Sequence, residues 1–401
     1  MSLPHTHTIS PKSVKEFIVC GMEQFSSYAV KFRSDIYSLY RLLRGLDENY
    51  RPQLLPGKHP DRNLTKYLKT FRQEKNDRCP TLLLEMLETY QDQAKHLTSY
   101  WQYLAIRNIE QLITFGFDAF KQTIGKNYFL FTNLASCSNV IDRRQDGLAN
   151  SGIGEFCAKH NHLSFTESFQ LNILTHSLRE QYRERFPGDL SIEEPLFGDP
   201  AYLIIDGCRV TTDLITSLYE YSTIAQTIDF ENINVVVEVG GGYGRTAYAI
   251  LKHQPKLRYF VCDVPPALFI AYEYLRDCFP EKRSCLIMDL EKISNVEELL
   301  DKNDLIFIFP EALDRLKIEC DLFLAIDCLH EMPKKQILHF LDYATCFSDY
   351  LYYKCWKDTV IPFDKIRLQE DFYSKDRAWK RLLHEDCDWP DGFFHALYAT
   401  K

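Results

Sequence analysis

The first part of the chain has the hydrophobic pattern of helices. Within residues 79–120, apolar residues recur at alternating steps of four and three, which predicts that they share one face of a helix. They are Leu83, Leu87, Tyr90, Ala94, Leu97, Trp101 and Leu104. Three heptads are marginal for an independent coiled coil. We therefore interpret this stripe as packing against a neighbouring helix of the same chain, with the seam of a homodimer as the alternative.

The pattern changes after Asn232, where short apolar runs alternate with helical segments. Four runs are rich in Val, Ile, Leu and Phe, at residues 235–239, 259–262, 305–309 and 322–326. They are uniformly apolar, which is typical of strands that helices cover on both faces. The sequence therefore predicts an α/β protein with a doubly wound, Rossmann-like sheet in its C-terminal part.

Loop-forming residues suggest how the chain is divided. We predict a helical N-terminal region over residues 1–132, and this region acts as a lid or in dimerisation. It includes a proline-free stretch at 14–43, which is predicted to be helical. A connector and a helix follow over 133–194, and the sheet domain over 195–401. Prolines and glycines within residues 193–213 predict a loop and a hairpin.

A glycine-rich turn follows the first predicted strand. Gly240, Gly242 and Gly244 allow positive φ and close approach of a ligand, and the free amides at the start of the next helix face the same ligand. A dinucleotide fingerprint needs a glycine where Arg245 stands. The spacing from Glu238 through the three glycines instead resembles motif I of the class I S-adenosylmethionine methyltransferases.

Asp263 stands at the end of the second predicted strand, 19 residues after Gly244. A carboxylate at this place can accept hydrogen bonds from ribose hydroxyls, as it does in both NAD and S-adenosylmethionine sites. The alternative is that Asp263 caps a helix that begins near Pro265 and Pro266.

His330 and Glu331 follow the strand predicted at 322–326, at the end of the sheet where open α/β proteins bind ligands. A neutral imidazole can accept a hydroxyl proton near pH 7, and the adjacent carboxylate can orient it or hold the substrate. The alternative is that both residues line the cofactor site or cap a helix without moving a proton. Asp327 is a single further acid, which is too little to predict a metal site.

The chain is similar to a bacterial family of sugar O-methyltransferases over roughly residues 99–399. Each matching motif is weak by itself, but the order of the motifs along the chain is specific. The motifs lie at residues 100–101, 115–121, 127–129, 194–200, 211–213, 220–221, 242–247, 263–267, 329–332, 353–357 and 394–398. Two places depart from the family. Thr211, Thr212 and Asp213 replace Ser-Gln-Asp, and Asp327 with Cys328 replaces Ser-Ser. Both lie where substrate contacts are plausible, so the acceptor can differ from the usual one.

The resemblance implies an S-adenosylmethionine-dependent O-methyltransferase that acts on a hydroxyl of a sugar or sugar-containing small molecule, in bacterial carbohydrate or natural-product biosynthesis. It implies these site residues: Glu238, Gly240, Gly242, Tyr243, Gly244 and Asp263 for the cofactor, Asp213 and Arg245 for the substrate, and His330 and Glu331 for catalysis. Arg245 would hold the methionine carboxylate or an anionic acceptor such as a nucleotide sugar, and a salt bridge on the helix surface is the alternative. The rival functions are an NAD(P)-dependent sugar oxidoreductase and a non-catalytic binding protein with the same fold.

Composition excludes several other classes. The chain has 47 Lys and Arg against 56 Asp and Glu, a formal net charge of −9, which argues against general affinity for nucleic acid or anionic lipid. No run approaches the roughly 20 apolar residues of a membrane span, and residues 1–12 lack the apolar core of a signal peptide. The 13 cysteines include no CxxC pair, which predicts reduced thiols, no metal site and a cytoplasmic protein.

Overall fold

The computed structural model describes a defined part of the chain: residues 64–73, 79–91, 93, 96–121, 123–124, 175, 178–186, 191–200, 202–293, 295–361, 364–375, 377–387 and 392–401. The helix predicted over 14–43, the connector that begins at 133 and the motif at 127–129 lie outside the described residues. The three-part division of the chain therefore stays a prediction.

Among the described residues, three helices precede the first strand: α1 (Leu64–Gln73), α2 (Thr81–Tyr90) and α3 (Ser99–Phe115). The predicted stripe does not lie on one helix, because α2 ends at Tyr90 and Thr98 caps α3 by accepting a hydrogen bond from the backbone N–H of Trp101. Its described residues pack within the chain. Tyr90 contacts the ring of Phe309 at 5.3 Å between centroids, and Leu104 is buried in the core beside the sheet.

The later helices and the strands alternate along the chain. After a helical segment at 178–185, the helices are α4 (Thr212–Thr227), α5 (Arg245–His253), α6 (Ala267–Cys278), α7 (Val296–Lys302), α8 (Glu311–Leu316), α9 (Lys334–Phe347) and α10 (Asp371–Ser374). The strands are β1 (Leu203–Ile205), β2 (Cys208–Val210), β3 (Val235–Val239), β4 (Arg258–Cys262), β5 (Ser284–Ile287), β6 (Leu305–Ile308), β7 (Cys320–Ile326), β8 (Ser348–Trp356), β9 (Asp358–Ile361), β10 (Ile366–Gln369), β11 (Lys380–Asp386) and β12 (Phe393–Ala399).

Eight of these strands form one sheet in the order β11-β12-β8-β7-β3-β4-β6-β5. The six strands from β8 to β5 are parallel, and β12 runs antiparallel to both β8 and β11. The four apolar runs correspond to β3, β4, β6 and β7, which confirms the predicted strands. The predicted hairpin is β1 and β2, joined through Asp206 and Gly207, both at positive φ.

The sheet separates two parts of the core. Val236 of β3 packs with residues of α4, α5 and α6, whereas Val237 and Val239 pack with residues of α8 and α9. Helices therefore cover both faces, which explains the uniformly apolar strands and confirms the doubly wound α/β class. No helix in the described part of the chain combines the length and apolar character that a membrane crossing requires.

Candidate functional site

The glycine turn between β3 and α5 packs tightly against the end of β7. Gly240, Gly242 and Gly244 have φ of 70°, 59° and 89°, in the left-handed region that favours glycine. A Cβ atom on Gly240 would lie 2.3 Å from the Cβ of Cys328. In turn, the Cys328 thiol donates a hydrogen bond to the backbone oxygen of Val239 at 3.1 Å. The sequence therefore needs glycine at 240 for packing as well as for conformation.

A cleft opens beside this turn, at the carboxyl ends of β3, β4 and β7, where ligands bind to open α/β sheets. Its charged lining residues among those described are Glu238, Arg245, Asp263, Asp327 and Glu331. Gly240, Gly242 and Tyr243 also line it, so most of the predicted site residues come together here. Gly244, Asp213 and His330 are not part of the lining.

Asp263 is held by backbone hydrogen bonds at the mouth of the glycine turn. One carboxylate oxygen accepts the N–H of Gly242 and the other accepts the N–H of Val264, each at 2.7 Å. Burial raises the pKa of Asp263 to about 7, against the opposing effect of these two hydrogen bonds. The capping alternative is wrong, because the residue before α6 is Pro266 and no side chain caps this helix.

Glu238 lies at the base of the cleft and is 2% exposed. It accepts a hydrogen bond from the hydroxyl of Tyr259 on β4 at 2.9 Å. Burial raises the pKa of Glu238 to about 7, and the bond from Tyr259 opposes this rise. Glu238 is thus a buried carboxyl with a raised pKa directly below the glycine turn.

Asp213 and Tyr243 form a buried pair behind the cleft wall. The hydroxyl of Tyr243 donates to Asp213 at 2.9 Å, and the ammonium of Lys121 lies 5.2 Å from the centre of the Tyr243 ring. Burial raises the pKa of Asp213 to about 7. The structure thus places Asp213 behind Tyr243 and outside the cleft lining, whereas the sequence predicted that Asp213 contacts the substrate. Lys121 in turn pairs with the buried Glu194.

Arg245 belongs to a buried four-residue ion cluster. Its guanidinium donates to both carboxylate oxygens of Glu220, at 2.8 and 3.2 Å, and to Asp327 at 2.9 Å. The ammonium of Lys354 on β8 contacts the same two acids, at 2.8 and 3.4 Å. The sequence predicted that Arg245 binds the methionine carboxylate or an anionic acceptor, with a salt bridge on the helix surface as the alternative. The observed salt bridge is buried, with two cations matched by two carboxylates.

His330 lies outside the cleft. It sits on a 3-10 turn (Leu329–Glu331), is 6% exposed, and packs edge-on against the rings of Phe393 and Trp356, at 5.5 and 6.5 Å between centroids. Burial and the nearby Lys354 lower the pKa of His330 to about 3. To accept a proton from a substrate in the cleft, as predicted, His330 would have to line the cleft, and in the structure it does not.

Glu331, on the same turn, does line the cleft. Burial, followed by the charge of Asp327, raises the pKa of Glu331 to about 8, and a hydrogen bond with Trp101 opposes this rise. The backbone oxygen of Glu331 accepts a hydrogen bond from the hydroxyl of Thr98 at 3.2 Å. Helix α3 is thereby fixed to the turn, and Thr98 and Trp101 complete the lining.

Sequence reasoning missed two residues of the cleft lining, Thr98 and Trp101, and two members of the ion cluster outside that lining, Glu220 and Lys354. Lys354 could have been suspected, because it is a single cation within the otherwise apolar and aromatic run of β8. Glu220 and Trp101 lie within the motifs of the resembling family, but no pattern in the sequence indicates which cation or acid they contact. Among the described residues, no group of three or more potential ligands is arranged to hold a metal ion.

One comparison with known proteins matches a stretch that includes the glycine turn and Asp263. Residues 212–290, from α4 to the start of the loop after β5, match a family model. The family is the O-methyltransferase domain. Methyltransferases of this family use S-adenosylmethionine. No curated protein matches the chain.

Solved structures that are similar to part of this chain include the following three. The pyocyanin biosynthetic protein PhzM is 16% identical over 46% of this chain and 56% of its own, with a TM-score of 0.31. Magnesium protoporphyrin IX methyltransferase from Synechocystis is 12% identical over 46% and 80%, with a TM-score of 0.31. The riboflavin-derivative dimethyltransferase RosA from Streptomyces davawensis is 14% identical over 46% and 55%, with a TM-score of 0.30. The similarity thus spans little more than half the length of the first of these proteins.

Proposed function

We propose that this protein is an S-adenosylmethionine-dependent O-methyltransferase. The observation that carries the proposal is the position of Asp263 beside the glycine turn. Each of its carboxylate oxygens accepts one backbone N–H, which fixes the group and leaves further lone pairs for two ribose hydroxyls. The match of residues 212–290 to the O-methyltransferase domain supports the same assignment.

The residues of the cleft fit this cofactor. When bound, S-adenosylmethionine supplies a methyl group on a positively charged sulfur. The glycines at 240, 242 and 244 bring the backbone close to the ligand, with Tyr243 and Glu238 lining the same wall. Where the acids of this lining are ionised, they favour a ligand that carries positive charge. We assign Glu331, which lines the cleft, the role of holding the bound substrate.

The N-terminal region contributes to the site in this proposal. Leu97, Thr98 and Trp101 line the cleft although they precede the sheet domain. The carboxylate of Asp364, in the loop after β9, accepts hydrogen bonds from the N–H and hydroxyl of Ser99 and the N–H of Tyr100 at the first turn of α3. We therefore assign helix α3 the role of a lid on the cofactor.

We propose a sugar or sugar-containing small molecule as the acceptor. This finer assignment rests on the ordered motifs that resemble the sugar O-methyltransferases and on the transfer chemistry, which needs a hydroxyl and a proton acceptor but no covalent nucleophile. A screen of sugars and nucleotide sugars with radiolabelled S-adenosylmethionine identifies the acceptor through label transferred to the product.

Calorimetric titration of the purified protein tests the cofactor class. We expect S-adenosylhomocysteine to bind and NAD not to bind. Asp263→Asn should weaken the binding of S-adenosylhomocysteine by about tenfold, because a charged acceptor for hydrogen bonds from the ribose is lost. Asp229→Asn, at an exposed cap before β3, is the matched control and should bind as the wild type does. Binding of NAD alone would replace this proposal with the oxidoreductase alternative.

A further inference from the structure

Asp327 has an unusual and fixed position at the edge of the cleft. It follows directly after β7, the strand that pairs with β3, and its φ of 56° is uncommon for a residue other than glycine. Its backbone N–H donates to the backbone oxygen of Lys354 at 3.0 Å, and the thiol of the neighbouring Cys328 donates to the backbone oxygen of Val239. These contacts hold a strained residue beside the glycine turn, and such strain is concentrated at functional sites.

The two carboxylate oxygens of Asp327 have different surroundings. One oxygen, Oδ2, accepts hydrogen bonds from Arg245 and Lys354. The other, Oδ1, is buried and has no hydrogen bond donor among the described residues. A buried acceptor without a donor is energetically unfavourable. Oδ1 itself is not exposed to solvent, but the side chain as a whole is 14% exposed and lines the cleft, so we infer that a ligand in the cleft supplies that donor.

The charges around Asp327 indicate what kind of donor fits. In the described lining, the four acids Glu238, Asp263, Asp327 and Glu331 face a single base, Arg245. Both cations of the ion cluster already contact carboxylates. An anionic group on an acceptor would therefore find no uncommitted positive charge in this lining. An uncharged hydroxyl, in contrast, can donate directly to a carboxylate.

We propose that Asp327 faces the transferred methyl group and accepts the proton of the acceptor hydroxyl, a role that rests on the proposed methyltransferase function. Asp327 takes this proton as the hydroxyl oxygen forms its bond to the methyl carbon. The sulfur–methyl bond breaks and its electron pair stays on sulfur, which becomes an uncharged thioether. The proton on Asp327 then passes to water as the products leave. Asp327 thus occupies the role that the sequence assigned to His330.

The inference can be tested by binding alone, without a known acceptor. Sinefungin carries an amine-bearing carbon in place of the sulfonium of the methyl donor, so its ammonium lies where the methyl group would be. We expect the wild type to bind sinefungin more tightly than S-adenosylhomocysteine. Asp327→Asn should reduce this preference by about tenfold or more, the loss of one charged hydrogen bond, while the Kd for S-adenosylhomocysteine stays within about twofold.

Glu220→Gln is the matched control, because it removes the same charge from the same ion cluster at a residue outside the cleft lining. It should keep the sinefungin preference. Thermal unfolding of both variants with and without S-adenosylhomocysteine confirms that each is folded.

Three outcomes decide the matter. Loss of the preference in Asp327→Asn alone supports the role of Asp327. An unchanged preference in Asp327→Asn, or equal losses in both variants, overturns it, because Asp327 would then act only as a member of the ion cluster. Failure of the wild type to bind either compound would instead contradict the proposed methyltransferase function.

Discussion

Glu331 makes the stability of the protein depend on pH in a direction that can be calculated. Its pKa is about 8 in the folded protein, against an ordinary value of 4.5, so the folded chain holds a proton that the unfolded chain has lost by pH 6.5. A raised carboxyl pKa therefore destabilises the fold progressively as the pH rises towards about 8. The loss is about 1.4 kcal/mol per pH unit while the group stays protonated. Between pH 6.5 and 8.5 it amounts to about 1–2 kcal/mol, allowing for partial exposure.

Urea unfolding of the wild type and Glu331→Gln at pH 6.5, 7.5 and 8.5, followed by circular dichroism, measures this term. Glutamine cannot titrate, so the variant should gain about 1–2 kcal/mol relative to the wild type across the range. Asp213, Glu238 and Asp263, whose pKa values are also raised to about 7, titrate in both proteins and cancel in the difference. The exposed Glu297→Gln on α7 is the control and should show no such gain. If the wild type and Glu331→Gln curves run parallel, the raised pKa of Glu331 is refuted.

Three further outcomes follow from the site. Gly240→Ala should destabilise the protein by about 1–3 kcal/mol more than Gly207→Ala in the same unfolding assay, since both have positive φ but only Gly240 lies against Cys328. Equal losses would show that conformation alone requires glycine there. The His330→Phe variant should keep its affinity for S-adenosylhomocysteine and most of its turnover, because His330 packs among aromatic rings. A loss of about 10²-fold in kcat would instead support His330 as the proton acceptor. In the acceptor screen, uncharged sugars should have higher kcat/KM than the same sugars linked to nucleotides, and the reverse order would contradict the charge argument.

Much of the fold could be predicted from hydrophobic pattern because buried parallel strands have a simple composition. Residues 235–239 are apolar except for Glu238 and are buried between helices on both faces of the sheet, so β3 is recognisable without tertiary information. The break between α2 and α3 was missed because the hydrophobic pattern alone does not show where one helix ends and the next begins. The steps of four and three continue across it, and only Thr98, a good helix cap, marks the new helix start.

The site could be predicted only in part, because strand ends are encoded locally and side-chain directions are not. Asp263 and the three glycines follow recognisable strands, and the structure brings them together. The direction of His330 depends on a 3-10 turn and on the rings of Trp356 and Phe393. The contact of Lys354 with Glu220 joins residues 134 positions apart, and one sequence contains no signal for such a pair.

The edges of the eight-stranded sheet also affect how the protein behaves when it is concentrated. An edge strand presents unpaired backbone groups that can recruit a strand of another molecule. At one edge, β11 carries exposed charges at both ends, on Lys380, Arg381, Glu385 and Asp386. At the other, β5 has only four residues and follows the charged Arg283. Short or charged edges oppose pairing between molecules, so this large sheet is protected against aggregation through its edges.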